Sequence, residues 1–254
     1  MAMELVRIPR QGGSDIVGTL HTPDNYNGMP PILIVHGYLA SNRIGYYHLY
    51  FDIAKHFESL GFYCLRIDMS GFGESGVDIE TITLHTHLQD IQDARSFLLS
   101  RDQIETDKIN LVAHCVGCTS SAVFAKSNPE LIHRLVLINP FFLSPFDIKN
   151  LLTENQEDEE YAELKAQGYV YRKGFYMHGS FFEDDKALVN LEKDILGMTS
   201  LVIADDDKYI DQGILSTLQC KKIIIEKANH DFIEKQSRML MLKTLESLLG
   251  DSNE

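Results

Sequence analysis

Basic residues are scarce in this 254-residue chain. Only 23 lysines and arginines stand against 37 aspartates and glutamates, a formal charge of −14 at pH 7. Such a balance repels polyanions, so neither nucleic acid nor an anionic membrane surface is an expected partner. Part of the charge is local: Glu154, Glu157, Asp158, Glu159, Glu160 and Glu163 form a cluster that reads as a solvated helix face. Long apolar runs are missing too. None approaches the roughly 18 residues a membrane span needs, and the N-terminus carries no signal-peptide apolar region, which leads to the expectation of a cytoplasmic protein. The four cysteines (Cys64, Cys115, Cys118 and Cys220) are scattered and mostly lie in apolar segments, as free thiols do. Cys115 and Cys118 form a C-x-x-C, but no second C-x-x-C and no H-x-x-x-H completes a metal set, so no metal or other cofactor is expected. Internal repeats and low-complexity tracts are absent from the pattern.

What is present is ordinary globular material: 44% hydrophobic and 24% charged residues. Two β-prone runs, from Met3 to Ile8 and from Ile16 to His21, flank Gly12-Gly13 and suggest an antiparallel hairpin at a sheet edge. Apolar strand-like runs then alternate with helical patterns. Ile32 to Val35, Phe62 to Ile67, Ile109 to Ala113, Leu135 to Ile138, Leu201 to Ala204 and Lys222 to Ile225 are the strands. The helices fall over Tyr46 to Leu60 (closed by Gly61), Leu84 to Leu99, the segment after Cys115, a short stretch near Ile214 to Leu218, and Phe232 to Leu249. The last helix has apolar positions at Ile233, Met239, Leu242, Leu245 and Leu248/Leu249. The alternation pauses between Phe141 and Gly197, where the acidic cluster leads into a segment rich in Tyr and Phe. The expectation is an α/β core formed by residues 1–140 and 198–254, a mostly parallel eight-stranded sheet flanked by helices, with a cap insertion over 141–197. In such sheets ligands bind beyond the carboxyl ends of the strands, where all the loops below begin.

The most informative stretch is INLVAHCVGCTSS, from Ile109 to Ser121. A buried strand stops at His114-Cys115-Val116-Gly117, and small helix-compatible residues follow. A nucleophile elbow has this form: the central side chain sits on a strained turn above the sheet, and small neighbours permit close helix-to-strand approach. The usual pattern is G-x-S-x-G; here it is A-H-C-V-G, so Cys115 takes the nucleophile position with a thiol in place of a hydroxyl. A helix N-terminus and a nearby imidazole both favour the reactive thiolate.

Other motifs stand in order around it: His36-Gly37 after the first parallel strand, Arg66-Ile67-Asp68 followed by Gly71, Gly73 and Ser75, then the elbow, then a late acid and histidine. This order resembles the α/β-hydrolase family along nearly the whole chain, most of all its cinnamoyl/feruloyl esterase and serine-aminopeptidase-like group. The resemblance implies His230, in Ala228-Asn229-His230-Asp231, as the base. It implies Asp207 as the acid that fixes the base's tautomer, with Asp206 an alternative because Ala204 replaces the usual glycine before that loop. It places the oxyanion hole at the backbone N–H groups of Val116 and Tyr38. Asp68, the glycines after it and Ser75 are read as scaffold, and His36 and His114 as stabilisers of loops.

The implied reaction is acyl transfer through a thioester on Cys115, with hydrolysis of an ester or thioester of a small organic acyl substrate as the leading outcome. An acyltransferase or an elimination on the same triad is the first alternative, and a non-catalytic ligand-binding protein on the same scaffold is the second. The expected partner is the acyl substrate, with a homodimer left open.

Overall fold

The computed structural model describes residues 2–10, 13–37, 42–76, 82–141, 169–172, 175–178, 193–210, 215–216 and 218–250. In chain order the strands are β1 (Ala2–Ile8), β2 (Ile16–Thr22), β3 (Ile32–Val35), β4 (Cys64–Ile67), β5 (Ile109–His114), β6 (Ile132–Ile138), β7 (Tyr169–Arg172), β8 (Phe175–His178), β9 (Thr199–Ala204) and β10 (Lys221–Ile225). The helices are α1 (Leu49–Ser59), α2 (Leu84–Leu99), α3 (Gly117–Ser127), α4 (Lys193–Leu196) and α5 (Lys235–Leu249).

Eight strands form one sheet in the order β1-β2-β4-β3-β5-β6-β9-β10. The pairs β1/β2 and β2/β4 are antiparallel and every other neighbouring pair is parallel, as the hairpin followed by alternating units requires. The central strands are apolar without interruption because both faces are covered. On β3, β5, β6 and β9, the residues Leu33, Val35, Leu111, Ala113, Leu135, Leu137, Leu201 and Ile203 join one core, which also holds Ile91 and Leu98 of α2 and Ala122 of α3. Their alternates Ile32, Ile34, Val112, Val136, Ile138, Val202 and Ala204 join a second core with Ile53 and Phe57 of α1 and Met241 and Leu245 of α5. Helices on two faces thus bury a strand pattern of period two.

Element ends follow local chemistry. A pattern of helical spacing begins at Tyr46, but α1 starts only at Leu49, because Tyr47 and His48 take left-handed φ values of 49° and 64° after a single 3₁₀ turn. It ends at Ser59, with Leu60 as its cap and then Gly61, whose φ of 91° suits glycine just after a helix. α2 opens on a reciprocal cap between Thr83 and Thr86. The last helix starts at Lys235 rather than Phe232, which has a left-handed φ of 49°. Its buried stripe is Met241, Leu245, Leu248 and Leu249, one row of helical neighbours; Met239 and Ile233, expected to face the core, are 49% and 42% exposed.

Between β6 and β9, which are neighbours in the sheet, the chain inserts the segment that interrupts the alternation, and β7 and β8 pair antiparallel there as a separate hairpin. The acidic cluster lies outside the described residues, as do Ile214 and Thr217 of the short helix expected near Ile214 to Leu218, while Leu215 and Ser216 are helical. The loops after β3, β4, β5, β6, β9 and β10 all leave the carboxyl edge of the sheet, and the candidate residues lie on them.

Candidate active site

Cys115 follows the last residue of β5 with a φ of 55°. A side chain in that region strains the backbone by about 1–3 kcal/mol, so the surroundings must hold it there. Cys115 N–H donates to Ile138 O at 3.1 Å, and its carbonyl accepts from Cys118 N–H at 3.0 Å and Phe141 N–H at 3.2 Å. The turn is therefore tied to the end of β6 on one side and to α3 on the other. Small residues do the rest. A Cβ on Gly117 would lie 2.3 Å from His36 O, and one on Gly37 would lie 2.8 Å from Cys115 Cβ. With glycine at both positions the β3 loop closes onto the elbow; with any side chain it cannot. Every residue from Gly117 to Ala125 is buried. Val116 precedes α3 as its N-cap, so its N–H belongs to the group that a helix leaves without an internal partner.

His230 is held by the turn after β10. Its Nδ1 bonds Asp207 Oδ2 at 2.5 Å, and the Asp207 side chain is fully buried. The second oxygen, Asp207 Oδ1, accepts the N–H of Tyr209 at 2.9 Å, which orients the carboxylate. Asp206 is exposed, and its N–H donates to Ala228 O at 3.0 Å. Asp205 is exposed as well and accepts the Ala228 N–H at 3.0 Å. Of the three consecutive aspartates, Asp207 is thus the one turned to the imidazole. Its neighbours fasten the β9 and β10 loops together, Asp206 through its backbone N–H and Asp205 through its carboxylate.

Burial alone pushes the His230 imidazole down, but charge wins. The Cys115 sulfur acts on the ring both as a charge and as a hydrogen-bond partner, and the Asp207 carboxylate adds both effects from the other side. The net result lies well above the ordinary imidazole value. An imidazole placed between a sulfur and a carboxylate is the general setting in which a reactive thiol is found.

Several supporting residues escaped the sequence reading. Asn139, expected only as a strand stop beside Pro140, has a φ of 43° and a fully buried side chain. Its Nδ2 donates to His230 O at 2.7 Å and its Oδ1 accepts from Ala204 N–H at 2.7 Å, so it pins the base loop to the end of β9. Arg238 of α5 donates to Phe232 O and Asp231 O, each at 3.0 Å, and pairs with Asp52 of α1 at 2.5 Å. The available sequence signal was an arginine on an otherwise amphipathic helix, which does not point to a loop. The scaffold motif behaves as read: Asp68 is fully buried and accepts from Arg43 N–H at 2.6 Å, from the Arg43 guanidinium and from Glu74 N–H at 2.9 Å. A Cβ on Gly73 would collide with that carboxylate at 2.2 Å. His36 stitches the same region, its Nδ1 bonding Gly37 O and its Nε2 accepting from Met69 N–H.

Tyr38, the second expected oxyanion donor, lies outside the described residues. Cys118 is on α3, fully buried, and burial pushes its thiol well above the usual range. Among the described residues no group of three or more His, Cys, Asp and Glu side chains could hold a metal ion, and no helix is long and apolar enough to cross a membrane.

Comparison with known proteins gives a family-level match. The profile of the alpha/beta hydrolase fold matches residues 30–238. No curated protein sequence matches the chain. Similar solved structures include Est1E from Butyrivibrio proteoclasticus with ferulic acid bound, at 17% identity and a TM-score of 0.76, covering 95% of this chain and 96% of that one. A putative hydrolase from Agrobacterium vitis S4 is similar at 17% identity and a TM-score of 0.75, covering 98% of both chains. Alpha/beta hydrolase domain-containing protein 10 from mouse is similar at 17% identity and a TM-score of 0.70, covering 97% and 98%. At such identities the likeness is one of fold.

Proposed function

Because the chain belongs to the α/β-hydrolase family, we propose that it hydrolyses an ester or thioester of a small organic acyl group through a thioester on Cys115. The observation that carries this reading is the strained Cys115 turn, set against a His230 ring that is itself bonded to a buried Asp207.

The chemistry follows from the charges. Cys115 sulfur attacks the acyl carbonyl as its proton passes to His230, and the S–C bond forms while charge builds on the carbonyl oxygen. Val116 N–H, and Tyr38 N–H as the second donor, would hold that oxygen. The tetrahedral adduct collapses, the bond to the leaving group breaks, and the His230 proton goes to the departing oxygen or sulfur. Acylation also removes the sulfur charge, one cause of the raised His230 value. The imidazole in the acyl-enzyme is therefore a better-matched base for water, which attacks, breaks the S–C bond and releases the acid. Asp207 keeps Nδ1 protonated throughout, so that Nε2 faces the reacting groups. The residues 141–197 would form a cap over this edge.

A panel of small acyl esters and thioesters tests the reading. Wild type is expected to turn over at least one of them, and Cys115→Ala to lose that turnover by about 10³-fold or more. Full turnover by Cys115→Ala would refute the assignment. An adduct that waits in water and leaves only when an alcohol or amine is supplied would make the protein an acyltransferase.

A further inference from the structure

Two buried side chains outside the proposed triad join its separate loops. Gly37 N–H lies 2.9 Å from the Tyr50 hydroxyl, the Tyr50 hydroxyl lies 2.8 Å from His114 Nδ1, and His114 Nε2 lies 3.0 Å from the His230 carbonyl. The ends of this chain fix its direction. A backbone N–H can only donate, and a carbonyl can only accept. Tyr50 Oη therefore accepts from Gly37 and points its own proton at His114 Nδ1, and His114 must carry its proton on Nε2 to reach His230 O.

We propose that Tyr50 and His114 are positioning residues, a one-way hydrogen-bond relay that holds the β3 loop, the elbow and the base loop in register. The proposal rests on the reading of Cys115 and His230 given above. Each link sits at a junction: Gly37 opens the loop that carries the expected oxyanion donor, His114 directly precedes Cys115, and the final acceptor is the backbone of the base. Tyr50 is 2% exposed and His114 3%. The local fold is built to deliver Tyr50. It lies in the first turn of α1, straight after the left-handed pair Tyr47 and His48, and a Cβ on Gly45 would lie 2.6 Å from its ring. Three unusual backbone positions in four residues serve to bring one phenol under the β3 loop. The same relay keeps His114 neutral: its Nδ1 is occupied as an acceptor, its ring centroid lies 4.7 Å from that of His230, and burial holds it well below the ordinary imidazole value, with the His230 cation acting in the same direction. The two stacked rings are thus pushed in opposite directions, His114 toward its neutral form and His230 toward its charged one.

The test uses nitrogen-15 spectra of the histidine rings, kinetics, and alkylation of Cys115 by iodoacetamide, which needs no substrate. His114 should show protonation at Nε2 alone; an Nδ1–H tautomer overturns the relay, since it can neither accept from Tyr50 nor donate to His230. Tyr50→Phe removes one oxygen from a packed ring, and kcat is expected to fall by about 10-fold with KM within about twofold, because misplacing reacting groups slows the reaction more than it weakens binding. Alkylation of Cys115 near neutral pH is expected to slow by about fivefold as the sulfur–imidazolium pair loosens. His114→Leu should act similarly, and the double variant no worse than about twofold below the weaker single one, as members of one unit behave. Additive losses, or kcat and alkylation both within about twofold of wild type in folded Tyr50→Phe, would overturn the proposal. If no ester is turned over, the hydrolase reading fails, while the ring spectra and alkylation still decide the relay. Should His114→Leu not fold, Tyr50→Phe carries the test alone.

Discussion

The strain at Cys115 and the burial of Asp207 do most to define the chemistry. A left-handed cysteine is unfavourable unless something depends on it, and here the turn directs sulfur toward an imidazole whose other nitrogen is held by a carboxylate with no solvent contact. The three consecutive aspartates separate cleanly by environment. Asp207→Asn is expected to lower kcat by about 100-fold or more, whereas Asp206→Asn, at an exposed position, should stay within about twofold. Steady-state kinetics on any substrate from the ester panel checks both; the reverse ranking would move the acid to Asp206. Cys115→Ser is a separate test of the sulfur. An imidazole pushed toward its charged form is a poor base for activating a hydroxyl, which is far less acidic than a thiol, so this variant is expected to lose at least about 10-fold in kcat despite having the residue that the family pattern usually carries.

At the level of elements, the elbow works because two glycines let strand-end loops touch. Gly117→Ala puts a methyl 2.3 Å from His36 O, a backbone atom that cannot rotate aside, and the β3 loop or α3 must shift. That change is expected to destabilise the protein by about 1–3 kcal/mol and to lower turnover in whatever fraction stays folded, measured by urea denaturation and by activity per folded molecule. Wild-type stability in this variant would mean that the loop is not held against the elbow. Much of this layer was legible in the sequence. Apolar runs marked the strands, a motif at each strand end marked the loops, and A-H-C-V-G marked the turn, because these signals are local and periodic. Asn139, Arg238 and Tyr50 were not legible. Asn139 and Arg238 act on backbone carbonyls 91 and 191 positions away, and Tyr50 acts on the Gly37 amide and on a histidine 64 positions away, and such links leave no local side-chain pattern to read. The α1 start was misplaced for a related reason: left-handed Tyr47 and His48 follow from where Tyr50 must go, not from their own propensities.

Across the whole molecule, buried histidines set the response to pH. His21 is lowered to about 4 and His87 to about 3, in both cases chiefly by burial, and burial lowers His36, His114 and His133 as well. Each stays neutral in the fold while its unfolded counterpart protonates below the ordinary value of 6.5. The unfolded state then binds more protons, so this stability is complete above about pH 6.5 and drains away as the pH falls toward the folded values. Asp90 and Asp231, both raised chiefly by burial, oppose the trend. Asp90 is raised to about 6, so between there and its ordinary 3.8 the folded state takes up a proton first, but two carboxyls do not offset five imidazoles. His230 has the other sign: its folded value is raised, so its contribution is present below the unfolded value and is lost as the pH rises through the folded one. The urea midpoint is therefore expected to peak near neutrality and to drop between about pH 6.5 and 4.5, and a midpoint that rises on acidification would contradict this balance of charges. The proposed reaction passes through a covalent intermediate at one atom. Rapid acid quench of the enzyme with an activated acyl ester, followed by mass spectrometry of its peptides, is expected to find the acyl group on Cys115, present in wild type, accumulating in His230→Ala after slow acylation, and absent in Cys115→Ala. An acyl group on any other residue, or turnover with no adduct at any time, would contradict it.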